Sequence, residues 1–264
     1  MKFPPNTFKT SLRDSRPTTG IFIGLVSPAA TEICATAGFD WLLIDGEHAP
    51  NNPVTVLPQL QAASAYGLPV VVRPVNHDPA LIKQYLGIGA QSLLVPMVET
   101  AEQAEALVQA VRYPPRGIRG VGTALERGAR WNAVEGYFAR ADEETCLIVQ
   151  IESRAGLDNL AAILAVDGVD GVFIGPADLA ASLGFLGQPM HAEVKAAIEA
   201  AIRQIAAAGK APGVFASDPA TARHYRGCGA SFIAVGADTS LLRNAAVALA
   251  STFKEGAAAQ GAAY

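Results

Sequence analysis

The sequence predicts a (β/α)8 TIM barrel, with the whole chain, residues 1–264, forming one domain. Three observations lead there. Eight short aliphatic runs recur along the chain, amphipathic segments separate them, and polar side chains of distinct chemical types stand just past the runs. The runs are continuous rather than alternating, which is the pattern of strands covered on both faces in a parallel sheet. Strands alternating with helices in this number suggest closure into a barrel. The runner-up is an open doubly wound sheet, but no G-x-G-x-x-G follows the first run, which counts against a dinucleotide fold.

Taken in order, the runs are GIFIGLV (20–26), DWLLID (40–45), LPVVVR (68–73), SLLVP (92–96), CLIVQIE (146–152), DGVFIG (170–175), APGVFA (211–216) and SFIAVG (231–236). Helices are expected at 100–112 after the fourth run, at 191–209 after the sixth with Gly209 as its stop, and at 218–229 after the seventh. Residues 113–145 are longer than one connecting helix requires, and such insertions are more often functional than idle. Arg116, Arg119, Arg127 and Arg130 would suit an anion-facing loop there, or simply a solvated surface excursion. The last segment, 241–264, begins as an apolar helix that packs on the barrel or on a neighbouring subunit.

The net charge of −4, with no Lys/Arg run, argues against nucleic acid as a partner. No apolar run is long enough for a bilayer, and the N-terminal stretch lacks a hydrophobic signal core. Cys34, Cys146 and Cys228 are odd in number and widely spaced, as expected of reduced cysteines in a cytoplasmic protein.

In such a barrel the chemistry sits at the C-terminal ends of the strands. Asp45, Glu47 and His48 follow the second run, Arg73 ends the third, Gln150 and Glu152 end the fifth, and Gly175, Pro176, Ala177 and Asp178 follow the sixth. Glu152 and Asp178 come from adjacent strands, and two carboxylates with room for water suit a hard cation such as Mg²⁺, with Mn²⁺ or Co²⁺ also held. Asp178 alone could equally cap the helix that follows it, whereas Glu152 has no such role. His48 is the candidate general base, since an ordinary imidazole titrates at about 6.5, and Asp45 or Glu47 could orient it. His77, His191 and His224 are expected to be solvated. Arg73 suits a carboxylate or a developing enolate oxygen, or a salt bridge to Asp45 or Glu47 that fixes the rim. No lysine ends a run: Lys83, Lys195 and Lys210 fall on helices or a helix end, which disfavours a Schiff base.

The stretches LLIDGEHAPN, VVRP, GIGAQSLLVPMVETAEQA, RYPPRGIRGVG, VQIES and GVFIGPADLAASLG together resemble the HpcH/HpaI aldolases, and the likeness covers about Thr7 to Lys254. That family comprises 4-hydroxy-2-oxoheptanedioate aldolases and related metal-dependent pyruvate aldolases. The resemblance implies a cytoplasmic enzyme of aromatic catabolism, built as a homohexamer, a trimer of dimers that exchange C-terminal helices. It implies His48 as base, Arg73 as transition-state stabiliser, Glu152 and Asp178 as metal ligands, and Gln150 with the Ala177 backbone as pyruvate binders. It further implies a divalent metal as cofactor, and pyruvate or hydroxypyruvate with an aldehyde as the small-molecule partners. Two positions depart from its pattern. Gly87, in LGIGAQ, stands where members commonly carry an aspartate that raises the histidine's basicity, which leaves a weaker base or Asp45 serving alone. Phe215 stands where leucine is frequent and would reshape the aldehyde pocket. Retro-aldol cleavage of a 4-hydroxy-2-oxo acid is the expected reaction. A CoA-thioester lyase of the citryl- or malyl-CoA type, or a non-catalytic barrel that binds an oxo acid, are the alternatives.

Overall fold

The computed structural model describes residues 1–254; the tail of the expected C-terminal helix, 255–264, lies outside the described residues. In chain order the elements are α1 (Thr7–Arg13), β1 (Thr18–Ile23), α2 (Pro28–Ala35), β2 (Trp41–Asp45), α3 (Pro53–Ser64), β3 (Val70–Arg73), α4 (Pro79–Gly87), β4 (Ser92–Val95), α5 (Ala101–Val111), α6 (Tyr137–Glu144), β5 (Cys146–Ile151), α7 (Arg154–Asp158), α8 (Leu160–Leu164), β6 (Gly171–Ile174), α9 (Pro176–Ser182), α10 (Ala192–Ala207), β7 (Ala211–Phe215), α11 (Pro219–Gly227), β8 (Phe232–Ala237) and α12 (Asp238–Thr252). The eight strands pair in sequence order, all parallel, and β8 pairs with β1 to close the barrel. The predicted fold class is thus the observed one. Among the described residues no helix is long and apolar enough to cross a membrane.

The strands are apolar throughout because they have two cores to fill. Side chains alternate across a strand. Leu42, Ile44, Val72, Leu147, Val149, Ile151, Val172 and Ile174 face outward into the layer shared with the helices. Trp41, Leu43, Val71, Leu94, Cys146, Ile148, Phe173 and Phe232 fill the barrel interior. Followed two residues at a time, the inward series run from Leu43 to Asp45, from Val71 to Arg73, from Ile148 through Gln150 to Glu152, and from Phe173 to Gly175. The polar residues of the C-terminal rim are therefore the topmost layer of the same interior that Trp41 and Phe232 fill below.

The N-terminal end is closed by α1. Asn6 caps this helix by accepting from Lys9 N, and Phe8 and Leu12, one helical turn apart, enter the interior cluster. Phe8 packs at 5.4 Å from the Trp41 ring and 5.8 Å from the Phe232 ring. The sequence reading did not anticipate this plug.

The insertion between α5 and β5 differs from expectation. It precedes a strand instead of following one, so it lies at the N-terminal end of the barrel, away from the rim where the strands end. Its arginines are spoken for: Arg116 meets Asp142 at 2.8 Å, Arg119 is buried 3.6 Å from Glu126 and over the Tyr113 ring, and Arg127 donates to the Ile88 carbonyl. They do not form an anion-facing loop: Arg116 is exposed, as a solvated excursion predicts, Arg127 and Arg130 are half-buried, and Arg119 is buried. By contrast α12 is exposed along its length apart from Asp238, with Leu241, Leu242, Val247 and Leu249 open to solvent.

Candidate active site

Register builds the first part of the site. Asp45 and Arg73 are direct partners across β2 and β3, so an acid and a base meet at adjacent strand ends. Arg73 Nε donates to Asp45 Oδ1 at 2.8 Å, and Arg73 Nη1 lies 2.8 Å from Glu47 Oε2. The second contact is an ion pair by distance only, since Glu47 Oε2 has no aligned hydrogen-bond donor among the described residues. Arg73 also donates from Nη1 to Gln150 Oε1 at 3.4 Å and stacks 5.0 Å above the Phe22 ring. Burial opposes the Arg73 charge, but the Asp45 bond and the charges of Asp45, Glu47 and Glu152 outweigh it and hold the guanidinium above its ordinary range.

Glu152 is the second part. It follows β5 in the inward series and is 1 % exposed. Its Oε1 accepts from Met97 N at 2.9 Å, and its Oε2 accepts from the Gln150 side-chain amide. Met97 reaches it by adopting a left-handed backbone, φ 53°, directly after β4, the kind of strain that clusters at functional sites. Burial pushes the Glu152 carboxyl above its usual range, and the charge of Asp178 adds to the push. Gly175 makes this crowding possible: a Cβ there would run into Glu152 Oε2 and stand 3.1 Å from Gln150 Nε2.

Asp178 and His48 complete the cluster. Gly175 is the N-cap of α9 and Pro176 its first residue, so Asp178 sits in the first turn, and it caps no N–H among the described residues. Its side chain is 50 % exposed, and Oδ2 stands 3.9 Å from His48 Nε2. The His48 side chain is 60 % exposed and also lies 3.6 Å from Glu47 Oε2. Ala177 lies between Pro176 and Asp178 in the same turn, where helix N–H groups lack intrahelical acceptors. Phe215 ends β7 half-buried, packed against the interior cluster and edge-on at 5.5 Å to Phe22, the ring that Arg73 overlies.

The structure thus gathers Asp45, His48, Arg73, Gln150, Glu152, Gly175, Asp178 and Phe215 at one rim. It corrects three expectations. Asp45 does not orient His48: its Oδ1 is committed to Arg73 Nε and to Glu47 N, and Glu47 is the acid beside the imidazole. Gly87 ends α4, at the opposite end of the barrel from His48, and the space beside it is taken by Glu126, whose Cγ would be 3.3 Å from a Cβ at 87. A carboxylate at position 87 therefore has no route to His48 within one chain. His77 and His191 are half-buried and partnered, by the Pro96 carbonyl and as the N-cap of α10, whereas His224 is exposed as expected and also meets Glu199.

Glu47 is the residue whose weight was missed. Burial pushes its carboxyl up to about 7, while Arg73 and His48 pull it down and Glu152 and Asp45 push it further up. The signal was present in the spacing, since Glu47 is two residues beyond inward-facing Asp45.

The rim holds a donor set of oxygens. Glu152 is buried with each oxygen bearing one donor, which leaves lone pairs free, and its neighbour Asp178 is uncommitted. A buried carboxyl pushed up by burial and by the charge of Asp178, with that second carboxylate beside it, fits a hard divalent cation. Arg73 is the positioned donor, and His48 is the accessible proton acceptor.

Residues 18–245 match the family model described as HpcH/HpaI aldolase/citrate lyase. A Deinococcus radiodurans protein named hydroxypyruvate/pyruvate aldolase is 61 % identical over 97 % of this chain and 93 % of its own. A Salmonella dublin protein named 4-hydroxy-2-oxo-heptane-1,7-dioate aldolase is 56 % identical, covering 94 % of each chain. Among solved structures, an HpcH/HpaI aldolase/citrate lyase family protein from Burkholderia cenocepacia superposes with a TM-score of 0.89 at 42 % identity, covering 94 % of this chain and 100 % of that one.

Proposed function

Because the chain belongs to the HpcH/HpaI aldolase/citrate lyase family, we propose that the rim carries out metal-dependent retro-aldol cleavage of a 4-hydroxy-2-oxo acid to pyruvate, or hydroxypyruvate, and an aldehyde. The protein is a class II aldolase, and a CoA-thioester lyase is not favoured, because relatives sharing 56–61 % of its residues are named aldolases. Glu152 and Asp178 are the side chains that would hold the ion, which is Mg²⁺, Mn²⁺ or Co²⁺. When bound, such an ion supplies Lewis acidity toward the 2-oxo acid.

The chain's own groups do the rest. His48 takes the 4-hydroxyl proton as the C3–C4 bond breaks and its electrons move toward C3 and the 2-oxo oxygen. Arg73 donates a hydrogen bond to that oxygen as charge develops, and Asp45 and Glu47 keep its fork from turning away. Return of the proton to C3 completes pyruvate and restores His48. Gln150 holds both Arg73 and Glu152 in place and faces the oxo acid, and the Ala177 N–H with Gly175 and Pro176 gives the substrate carboxylate a helix N-terminus to meet. Phe215 and Phe22 border the aldehyde side. In reverse the same groups add pyruvate or hydroxypyruvate to an aldehyde.

The observation that carries this reading is the pairing of a fully buried acid, Glu152, with an uncommitted one, Asp178, beside an exposed imidazole and a buried arginine. The exposed apolar side chains of α12 support a homohexamer with exchanged C-terminal helices. The chain acts as one cytoplasmic domain. Chelation is expected to abolish cleavage, and Mg²⁺, Mn²⁺ or Co²⁺ to restore it. Full turnover in chelator, with a substrate adduct trapped by borohydride, would overturn the proposal.

A further inference from the structure

The rim chemistry leaves unused one cluster of metal-type donors on the outer wall of the barrel. Glu199 projects from the middle of α10, while His224 and Cys228 lie four residues apart at the end of α11, which places them on one helical face. Their carboxylate oxygen, imidazole nitrogen and thiol sulfur all lie within 4.8 Å of one another, the one such cluster of three or more His, Cys, Asp or Glu among the described residues.

We propose that Glu199, His224 and Cys228 form a second metal site, for a borderline divalent ion of the zinc class, which staples α10 to α11. Three observations converge. First, the donor types differ from those of the rim. Oxygen donors at Glu152 and Asp178 suit a hard ion, whereas sulfur and imidazole select zinc-like ions, so the two sites discriminate by ligand softness. Second, the spacing is close to what such an ion needs. Tetrahedral bonds of about 2.0–2.3 Å put ligand atoms roughly 3.3–3.8 Å apart. Here His224 Nε2 is 2.7 Å from Glu199 Oε1 and 3.9 Å from Cys228 Sγ, so a small rotation of the Glu199 side chain admits an ion. Third, the cluster already holds a positive group. Arg203 Nη2 donates to Glu199 Oε2 at 3.0 Å and meets Cys228 Sγ at 3.7 Å. Its side chain is 59 % exposed, so it can swing into solvent and yield these two ligands. A fourth position stays open to water. The two helices already pack beside the cluster: a Cβ at Gly229 would stand 3.7 Å from Ala206 and 3.9 Å from Ile202 of α10.

Cobalt(II) tests this without reference to turnover, because only a thiolate ligand gives a sulfur-to-cobalt charge-transfer band. Reduced, chelator-stripped protein is titrated with Co²⁺. With excess Mg²⁺ present to fill the rim, the wild type is expected to develop the band, with an intensity at saturation of one thiolate-bound Co²⁺ per chain, and to lose it when Zn²⁺ is added. Cys228→Ser and His224→Ala should each abolish it, and Arg203→Ala should produce it at lower Co²⁺ concentration. Cys34→Ser and the rim variant Glu152→Gln should leave it unchanged. Absence of the band in the wild type, its survival in Cys228→Ser, or an unaltered titration in His224→Ala would overturn the assignment.

Discussion

The two ends of the barrel are built from the same strands and are polar in opposite senses. At the N-terminal end the acids are held by cations and backbone N–H groups, although Thr18 Oγ1, Trp41 Nε1, Tyr113 Oη, Arg119 Nε and Glu126 Oε2 are buried without a hydrogen bond. Asn6 Nδ2 donates to the Gln91 and Glu144 carbonyls and to Ser92 Oγ, and Asn6 N donates to Glu144 Oε2. Lys9 donates to the Thr145 carbonyl and lies 3.3 Å from Asp170, whose other oxygen accepts from Leu147 N. At the C-terminal end, acids are pressed together and two of them, Glu47 and Glu152, are pushed up by burial. At one end the acids are paired; the other stores electrostatic cost of the kind that a divalent cation would relieve. The difference teaches that polar content alone does not mark the reactive rim, because both ends have it. Crowded carboxyls that burial pushes above their ordinary range do.

Substitutions can break this contrast, and the largest effect is expected at Glu152. Glu152→Gln should lower kcat/KM on the order of 10³-fold or more, since a metal contributes several kcal/mol to the barrier. The same change should raise the melting temperature of metal-free protein, because it removes a buried charge that the apo rim holds at a cost. A Glu152→Gln protein that is less stable without metal would contradict a cost stored in the buried charge of this rim.

Arg73→Lys comes next. Loss of the planar fork should reduce kcat by roughly 10²–10³, in the range for removal of one oxyanion donor. Steady-state kinetics should show kcat falling more than KM rises. Asn6→Ala probes the other end: it leaves buried acceptors unpaired and should cost about 1–3 kcal/mol in denaturant unfolding while leaving kcat unchanged. An activity loss in Asn6→Ala would mean the plug is coupled to the rim.

The smallest effect is a pH dependence. Glu47 is raised from 4.5 to about 7 in the folded protein. Between those values the folded state therefore binds more protons than the unfolded one, so stability falls as pH rises from about 4.5 to about 7 and levels off above. Chemical denaturation of metal-free protein should show this slope, and Glu47→Gln should flatten it.

Much of this was legible in the sequence. The continuous aliphatic runs revealed all eight strands, because a strand with a core on each face has no polar side. The residues just past the runs gave the rim. What the runs did not disclose was pairing across strands. Arg73 opposes Asp45 only because β2 and β3 align in that register, and so Asp45 serves the arginine and not the histidine. Gly87 shows a related limit: a motif gives position in the chain, whereas the end of the barrel on which it falls, away from His48 of the same chain, depends on where α4 stops. The plug was hidden in a short segment whose two apolar anchors, Phe8 and Leu12, carry too little periodic signal by themselves.

The central claim, that the strained acids of one rim become catalytic on taking up a divalent cation, is tested most directly by exchange of the pyruvate methyl protons in D2O, followed by NMR. Wild-type protein with Mn²⁺-free Mg²⁺ is expected to exchange them, chelated protein to leave them intact, and Glu152→Gln to leave them intact with Mg²⁺ present. Exchange that continues undiminished in chelator or in Glu152→Gln would contradict the claim.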